Sequence, residues 1–381
     1  MRNQHRLALP VTLGLSLTLL LSVLSAEGSA LEPEPVFGKG STPVWDAQQF
    51  VQADRTGKIY FFRSDTFEIY PVAKDGRFGE PVRLETSVAA KGVTYNAVMS
   101  PAGDRWLVQG HRAARLFVDG KEKTLPALPY KPWSVAFLRD EPVAAVIPLP
   151  TGGRSVDIQK IGTPPWLLKL GADRWTSLVD LKGFSVSEIL EDNGLNRAIT
   201  EYGSFLAGDR QGRLWAARQY GYRVQRFTPG GRLLLDLTVE DGATRKKPEA
   251  KGIEVKFRGA GRNPEKATRN PREEKGTYHQ FTADPVIEAL TEGRDGRLYL
   301  FVKPREGGLA LDRYDPAQAI LERISLRMNL KNRPSLAAGR DGLYLAAWNG
   351  QNGRWRISWE ALEQAQWKKV DDVKINGMEE E

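Results

Sequence analysis

The side chains in this chain that could do chemistry are mostly oxygen donors. Asp46, Asn96, Glu201, Asp284 and Glu288 are spread along the sequence, and a fold that converged them would suit a hard cation such as Ca²⁺, which oxygen ligands alone can hold. Asn96, Glu201 and Glu288 are the three expected to ligate such an ion. A second group, Gln48, Tyr95, Trp133, Tyr202, His279 and Arg333, offers amides, aromatic rings, an imidazole and a guanidinium suited to a sugar or a peptide.

Softer chemistry is ruled out by composition. The sequence contains no cysteine, so it has no thiol nucleophile, disulfide or thiolate-bound metal. Outside the N-terminal segment only His111 and His279 remain, which is too few for a multi-histidine metal centre. His111 lies in a hairpin turn, where solvation is the ordinary role. No Gly-x-Ser-x-Gly elbow occurs, and Gly203-Ser204-Phe205-Leu206 lacks the strand-to-helix context that would strain a serine. The run Gly259-Ala260-Gly261-Arg262-Asn263-Pro264 sits in a charged linker with no strand before it, so it reads as a turn and not as a phosphate loop. No catalytic residue is assigned, and Ca²⁺ is the one cofactor the composition would accommodate.

The elements that must position these groups announce themselves by repetition. Thr56-Gly57-Lys58-Ile59-Tyr60, Gln211-Gly212-Arg213-Leu214-Trp215, Asp295-Gly296-Arg297-Leu298-Tyr299 and Asp341-Gly342-Leu343-Tyr344 share a polar turn, a glycine, an aliphatic residue and an aromatic. A recurring turn-plus-strand unit cannot bury its own apolar face and must stack on its neighbours. Gly57 to Gly103 and Gly296 to Gly342 are each 46 residues apart, the length of one four-stranded unit with its loops. The spacing predicts a six-bladed β-propeller of four antiparallel strands per blade, or seven blades if Gly252 to Phe257 also pairs into a sheet. One further blade spans about 133 to 182 on the degenerate turn Arg139-Asp140-Glu141-Pro142.

The fullest blade is 203 to 238, where Asp209-Arg210-Gln211-Gly212, Trp215, Arg223-Val224-Gln225-Arg226-Phe227 and Gly230-Gly231 follow one another. This stretch resembles an NHL-type repeat, and 286 to 326 and 333 to 371 resemble it in part. The resemblance implies a propeller that binds a protein or polymer through its loops and carries no inherited catalytic residues. Innermost strands are expected near Trp45 to Val51, Thr94 to Met99, Trp133 to Phe137, Tyr202 to Ala207, Val286 to Thr291 and Pro334 to Ala338. They would bring Asp46, Gln48, Tyr95, Asn96, Trp133, Glu201, Tyr202, Asp284, Glu288 and Arg333 to the channel, with His279 facing its mouth. Large rings such as Trp106 and Trp215 are expected between blades, whereas Trp133 and Trp348 are expected at exposed loop ends.

Two segments fall outside the repeat. Residues 1 to 30 carry Arg2 and Arg6, an apolar run from Leu7 to Leu24 and a small-residue exit at Gly28-Ser29-Ala30, the pattern of a cleaved signal peptide. That implies export to a periplasmic, envelope or extracellular site, with no membrane span after cleavage and residues 31 to 381 as one domain. The formal net charge of +8 is concentrated between Arg245 and Arg272, which hold ten Lys or Arg against three Glu. Low hydrophobicity with high charge predicts a flexible basic insertion over 241 to 276, between blades four and five.

The overall expectation is a monomeric, non-catalytic binding or scaffold propeller that recognises a protein, peptide or glycan at one channel mouth. A lactonase-like, metal-dependent hydrolase and an envelope polyanion binder acting through Arg245 to Arg272 are the alternatives. Nucleic acid is not an expected partner.

Overall fold

The computed structural model describes residues 30–36, 48–73, 76–86, 94–110, 113–150, 163–181, 202–239, 251–257, 274–280, 286–304, 307–328, 330, 332–347 and 353–377. Six antiparallel sheets stand around a central axis, begun by the inner strands Gln49–Ala53, Asn96–Met99, Tyr130–Leu138, Ser204–Gly208, Ile287–Glu292 and Ser335–Ala338. Each inner strand touches the inner strands on either side of it, and the sixth touches the first, so the ring closes. The chain is a six-bladed β-propeller.

The packing follows from strand periodicity. Successive side chains on a strand point to opposite faces, and a blade is covered on both faces by its neighbours. In the second strand of blade four, Leu214 and Ala216 enter the cluster shared with blade three, while Trp215 and Ala217 enter the cluster shared with blade five. Blade five repeats the division, with Leu298, Leu300 and Val302 on one side and Tyr299 and Phe301 on the other. Among the described residues there are six such clusters, one in each cleft between adjacent blades. The core is therefore a ring of interfaces, and Trp106 and Trp215 are buried in it at 4% and 0% exposure.

The repeated phrase serves the turns between first and second strands. Tyr60, Tyr299 and Tyr344 each donate a phenolic hydrogen bond back to the aspartate that opens their own turn, Asp54, Asp295 and Asp341, at 3.2, 2.8 and 2.9 Å. Burial first, then the neighbouring Asp54 carboxylate, pushes the Tyr60 hydroxyl up to about 12, so it stays a donor at physiological pH. In blade four the aromatic is Trp215, which cannot make this bond, and Arg213 and Arg226 hold Asp209 instead. Blade three turns on two residues, Arg139 and Asp140, with Arg139 in the left-handed region at φ 59°.

The ends of the described chain cross blade boundaries. Glu34–Pro35 is the outer strand of blade six, paired with Arg354–Ser358, and Leu31 bridges to Leu326 of blade five. After the short helix Trp359–Gln364, Lys368–Lys369 adds a fifth strand to blade five and Val373–Gly377 a fifth to blade four. Sixth-blade closure by the N-terminal segment makes a prediction. Replacing residues 31–36 by a Gly/Ser stretch leaves the backbone of Arg354–Ser358 unpaired on one edge, and the urea midpoint should fall. An unchanged midpoint would show that the ring is held by its inner strands alone.

The segment 241 to 276 contains more structure than its composition implies. Lys251–Phe257 is a strand, paired antiparallel with Glu274–Gln280 in a sheet of two strands. Its sequence alternates Ile253, Val255 and Phe257 with polar residues, a period-two pattern that outweighs the surrounding charge locally. Two strands do not make a blade, so the count remains six. Residues 1–29 of the expected signal peptide lie outside the described residues, as do His111 and Trp348. Among the described residues no helix is long and apolar enough to cross a membrane.

Candidate functional site: the two mouths of the channel

All six inner strands run the same way along the axis, so their first residues ring one mouth and their last residues ring the other. At the entry mouth a cavity of about 70 Å³ is lined by residues of every blade, among them Gln48, Tyr95, Asn96, Ser134, Glu288 and Arg333. Five of the residues singled out from sequence therefore meet there. Tyr95 is one of two large apolar side chains exposed among the described residues, at 45%. Trp133 and Tyr202 do not line this opening. Both pack against the cluster between blades three and four, Tyr202 edge-on to Trp166 at 5.6 Å. The indole nitrogen of Trp133 is buried with no hydrogen-bond partner among the described residues, while the residue as a whole is half-buried. His279 lies on the strand Glu274–Gln280, and Asp46, Glu201 and Asp284 are outside the described residues.

The polar groups of the entry mouth link one blade to the next. Asn96 donates from Nδ2 to the Val135 carbonyl at 3.4 Å, and Ser134 donates to the Ser204 carbonyl at 2.6 Å. Ser335 accepts the Val51 N–H at 2.8 Å. Arg333 donates from Nε to the Glu288 carbonyl at 3.2 Å and lays its guanidinium over the Phe205 ring, 3.3 Å from the centroid. The buried Glu288 carboxylate pairs with Lys303 Nζ at 2.7 Å. Burial, opposed by Glu288 and Tyr220, pushes the Arg333 guanidinium down to about 10, which still leaves it charged at neutral pH. Among the described residues no three His, Asp or Glu side chains come close enough to hold a metal together. Phe205 and Ser134 had no sequence signal, because their role depends on which blade follows which.

At the exit mouth a larger cavity of about 440 Å³ is lined by Gln52 to Arg55, Arg139, Leu206 to Arg210, Gly212, Glu292 and other inner-strand ends, again from all six blades. The six turns that rim it are stitched in sequence. Arg55 N–H donates to the Pro101 carbonyl at 2.9 Å, and Arg105 Nη1 to the Asp140 carbonyl at 3.1 Å. The Arg139 side chain lies over Gly212, where a Cβ would collide with it. Arg210 Nη1 donates to the Arg294 carbonyl and Arg294 Nη1 to the Arg340 carbonyl, both at 3.3 Å. Arg340 N–H reaches the Gly57 carbonyl at 2.9 Å, which completes the circle. Sequence reasoning missed this ring although a signal existed: Arg55, Arg210, Arg294 and Arg340 each stand two residues before the turn glycine of the repeated phrase.

No protein-family model matches the chain, and no curated protein matches it. Several solved structures do. A protein of unknown function from Bacteroides thetaiotaomicron aligns over 86% of this chain and 75% of its own, at 12% identity and a TM-score of 0.48. A streptogramin B lyase aligns over 89% and 95%, at 14% identity and 0.44. A virginiamycin B lyase from Staphylococcus aureus, crystallised with quinupristin, aligns over 90% and 98%, at 12% identity and 0.43. At these identities and scores no residue role and no reaction carries over to this chain.

Proposed function

We propose that the protein is an exported, non-catalytic binding propeller of NHL-like kind, whose entry mouth receives a protein, peptide or glycan segment. One observation carries the reading: the entry mouth presents Tyr95 and side-chain amides around an opening of about 70 Å³, room for a few waters and no more. An enclosed small-molecule site needs several hundred Å³, so a partner here lies across the mouth and not inside it. A flat aromatic ring beside amides is the chemistry that stacks on sugars or apolar side chains while satisfying hydroxyls and peptide groups. The hydrolase alternative asks Asn96 and Glu288 to turn toward one ion. Lys303 already neutralises Glu288.

Glycan and peptide arrays probed with the full chain, followed by titration of the best hit, test the proposal. Tyr95→Ala is expected to weaken that hit at least tenfold with an unchanged melting temperature, because the ring is already exposed. A hit indifferent to Tyr95→Ala would place recognition elsewhere. Metal analysis with a thermal-shift titration of Ca²⁺ addresses the hydrolase alternative directly, since a stoichiometric ion that stabilises the protein would restore it.

A further inference from the structure

We propose that the exit mouth is a second binding site, for a compact organic polyanion bearing several phosphate or carboxylate groups. This site is separate from the entry mouth, and the distribution of charge in the ring of turns points to it. Arg55, Arg139, Arg210, Arg294 and Arg340 stand in five of the six turns, and all five are exposed. Among the described residues none of the five forms an ion pair with a carboxylate, and the Arg210 and Arg294 guanidinium groups donate to backbone carbonyls. Seven arginines elsewhere in the described chain, Arg63, Arg213, Arg223, Arg297, Arg313, Arg323 and Arg356, each close on a carboxylate.

Most of the carboxylates near the mouth are already engaged by other groups. Asp54 accepts from Thr56, Lys58 and Tyr60, and Asp209 from Arg213 and Arg226. Glu292 takes the Arg210 N–H at 2.7 Å and lies 3.8 Å from Arg226. Asp295 and Asp341 hold Tyr299 and Tyr344. Asp104 serves Ser100 and Arg105, and Asp140 keeps one buried oxygen without a partner. Like charges gathered on one rim repel one another, and a multivalent anion relieves that repulsion where a single carboxylate cannot. Guanidinium forks match phosphate and carboxylate oxygens in pairs, and two of them are pre-oriented by the carbonyls of the next turn. Arg55, Arg139 and Arg210 line the cavity of about 440 Å³, which is the size of a small-molecule site, and Arg294 and Arg340 stand in the turns next in the ring.

Isothermal titration of the full chain with inositol hexakisphosphate as the phosphate probe and citrate as the carboxylate probe, at low and at moderate salt, tests the inference. Saturable one-to-one binding of at least one probe, weakening as salt rises, is the expected result. The double variant Arg55→Gln/Arg340→Gln should lose at least tenfold in affinity. Both side chains are exposed and, among the described residues, make no bond through their guanidinium, so its melting temperature should match the parent. Arg139→Gln supplies a second reading of the same rim. Deleting residues 258–273, which removes part of the basic insertion and none of the rim arginines, should leave the affinity unchanged. Two results would overturn the inference: neither probe binds, or binding survives the rim substitutions and disappears with the deletion.

Discussion

Asp209→Ala is expected to cost about 3–5 kcal/mol of stability, the range for breaking a buried ion pair from one side. The Asp209 side chain is fully buried, with 0% exposure, and Arg226 beside it is 7% exposed. Oδ1 accepts the Arg213 backbone N–H at 2.7 Å, while Oδ2 accepts Arg213 Nε at 2.8 Å and Arg226 Nε at 3.0 Å. Arg226 also lies over the Trp215 ring, 4.6 Å from its centroid, so this cluster is set into the interface between blades four and five. Removing the carboxylate strands the Arg226 charge, with Glu292 at 3.8 Å as its remaining anion.

Urea denaturation of Asp209→Ala measures that loss. A loss below about 1 kcal/mol would show the pair to behave like an exposed one. Pairing Asp209→Ala with Arg226→Met should recover much of the stability, because well-packed apolar groups replace buried ion pairs at little net cost. The pH dependence has a definite sign. Burial alone would raise the Asp209 carboxyl, but hydrogen bonds from Arg213 and Arg226 outweigh it and hold it below its ordinary value. Its contribution is therefore complete above the unfolded carboxylate pKa and is lost as pH falls through the lower folded value. Glu292 behaves oppositely. Burial first, with the Asp209 charge adding to it, raises its pKa against the Arg210 N–H, so protonation of Glu292 favours the fold and that contribution is lost as pH rises through its folded value. Asp209→Asn should flatten the acid limb of stability, and an unchanged limb would assign it to other carboxylates.

Gly208→Val should destabilise by about 3 kcal/mol, the upper end for overpacking a closely fitted site. Gly208 ends the inner strand of blade four, and a Cβ there would collide with the Phe137 carbonyl oxygen of blade three. A side-chain neighbour could rotate away, but this atom belongs to the backbone of the adjacent inner strand. Relief requires two blades to part at the axis, where Ser134 and the Ser204 carbonyl also join them. Gly208→Ala should fall between the parent and Gly208→Val. Equal stability for all three proteins in calorimetry would mean that the inner strands can slide without cost.

The fold was legible because its determinants are local and repeated. Glycine turns such as Gly57, Gly212 and Gly296 sit at φ 79°, 78° and 76°, a conformation that favours glycine, so the turn chemistry marks each blade before any packing is considered. Alternation in Leu214 to Ala217 then requires two buried faces, which a stack of blades supplies. The candidate site was less legible. Gln48, Tyr95, Asn96, Glu288 and Arg333 reach one mouth because that depends only on where each inner strand begins. Trp133 lies within the inner strand of blade three and Tyr202 just before that of blade four, yet both turn into the cleft between these blades, since the choice between axis and cleft alternates residue by residue.

Two features lay beyond reach of local pattern: the strand that closes blade six, and the rim of arginines. Glu34 and Arg356 are 322 positions apart in sequence, and the Arg340 N–H reaches the Gly57 carbonyl beside Arg55 only because the ring closes. Sequence alone determined the repeating unit, its turns and the buried character of both strand faces, because turn geometry and side-chain alternation act over a few residues. Which residues from different blades meet at each mouth was decided only by tertiary structure, because those distances exist once six sheets have packed around one axis.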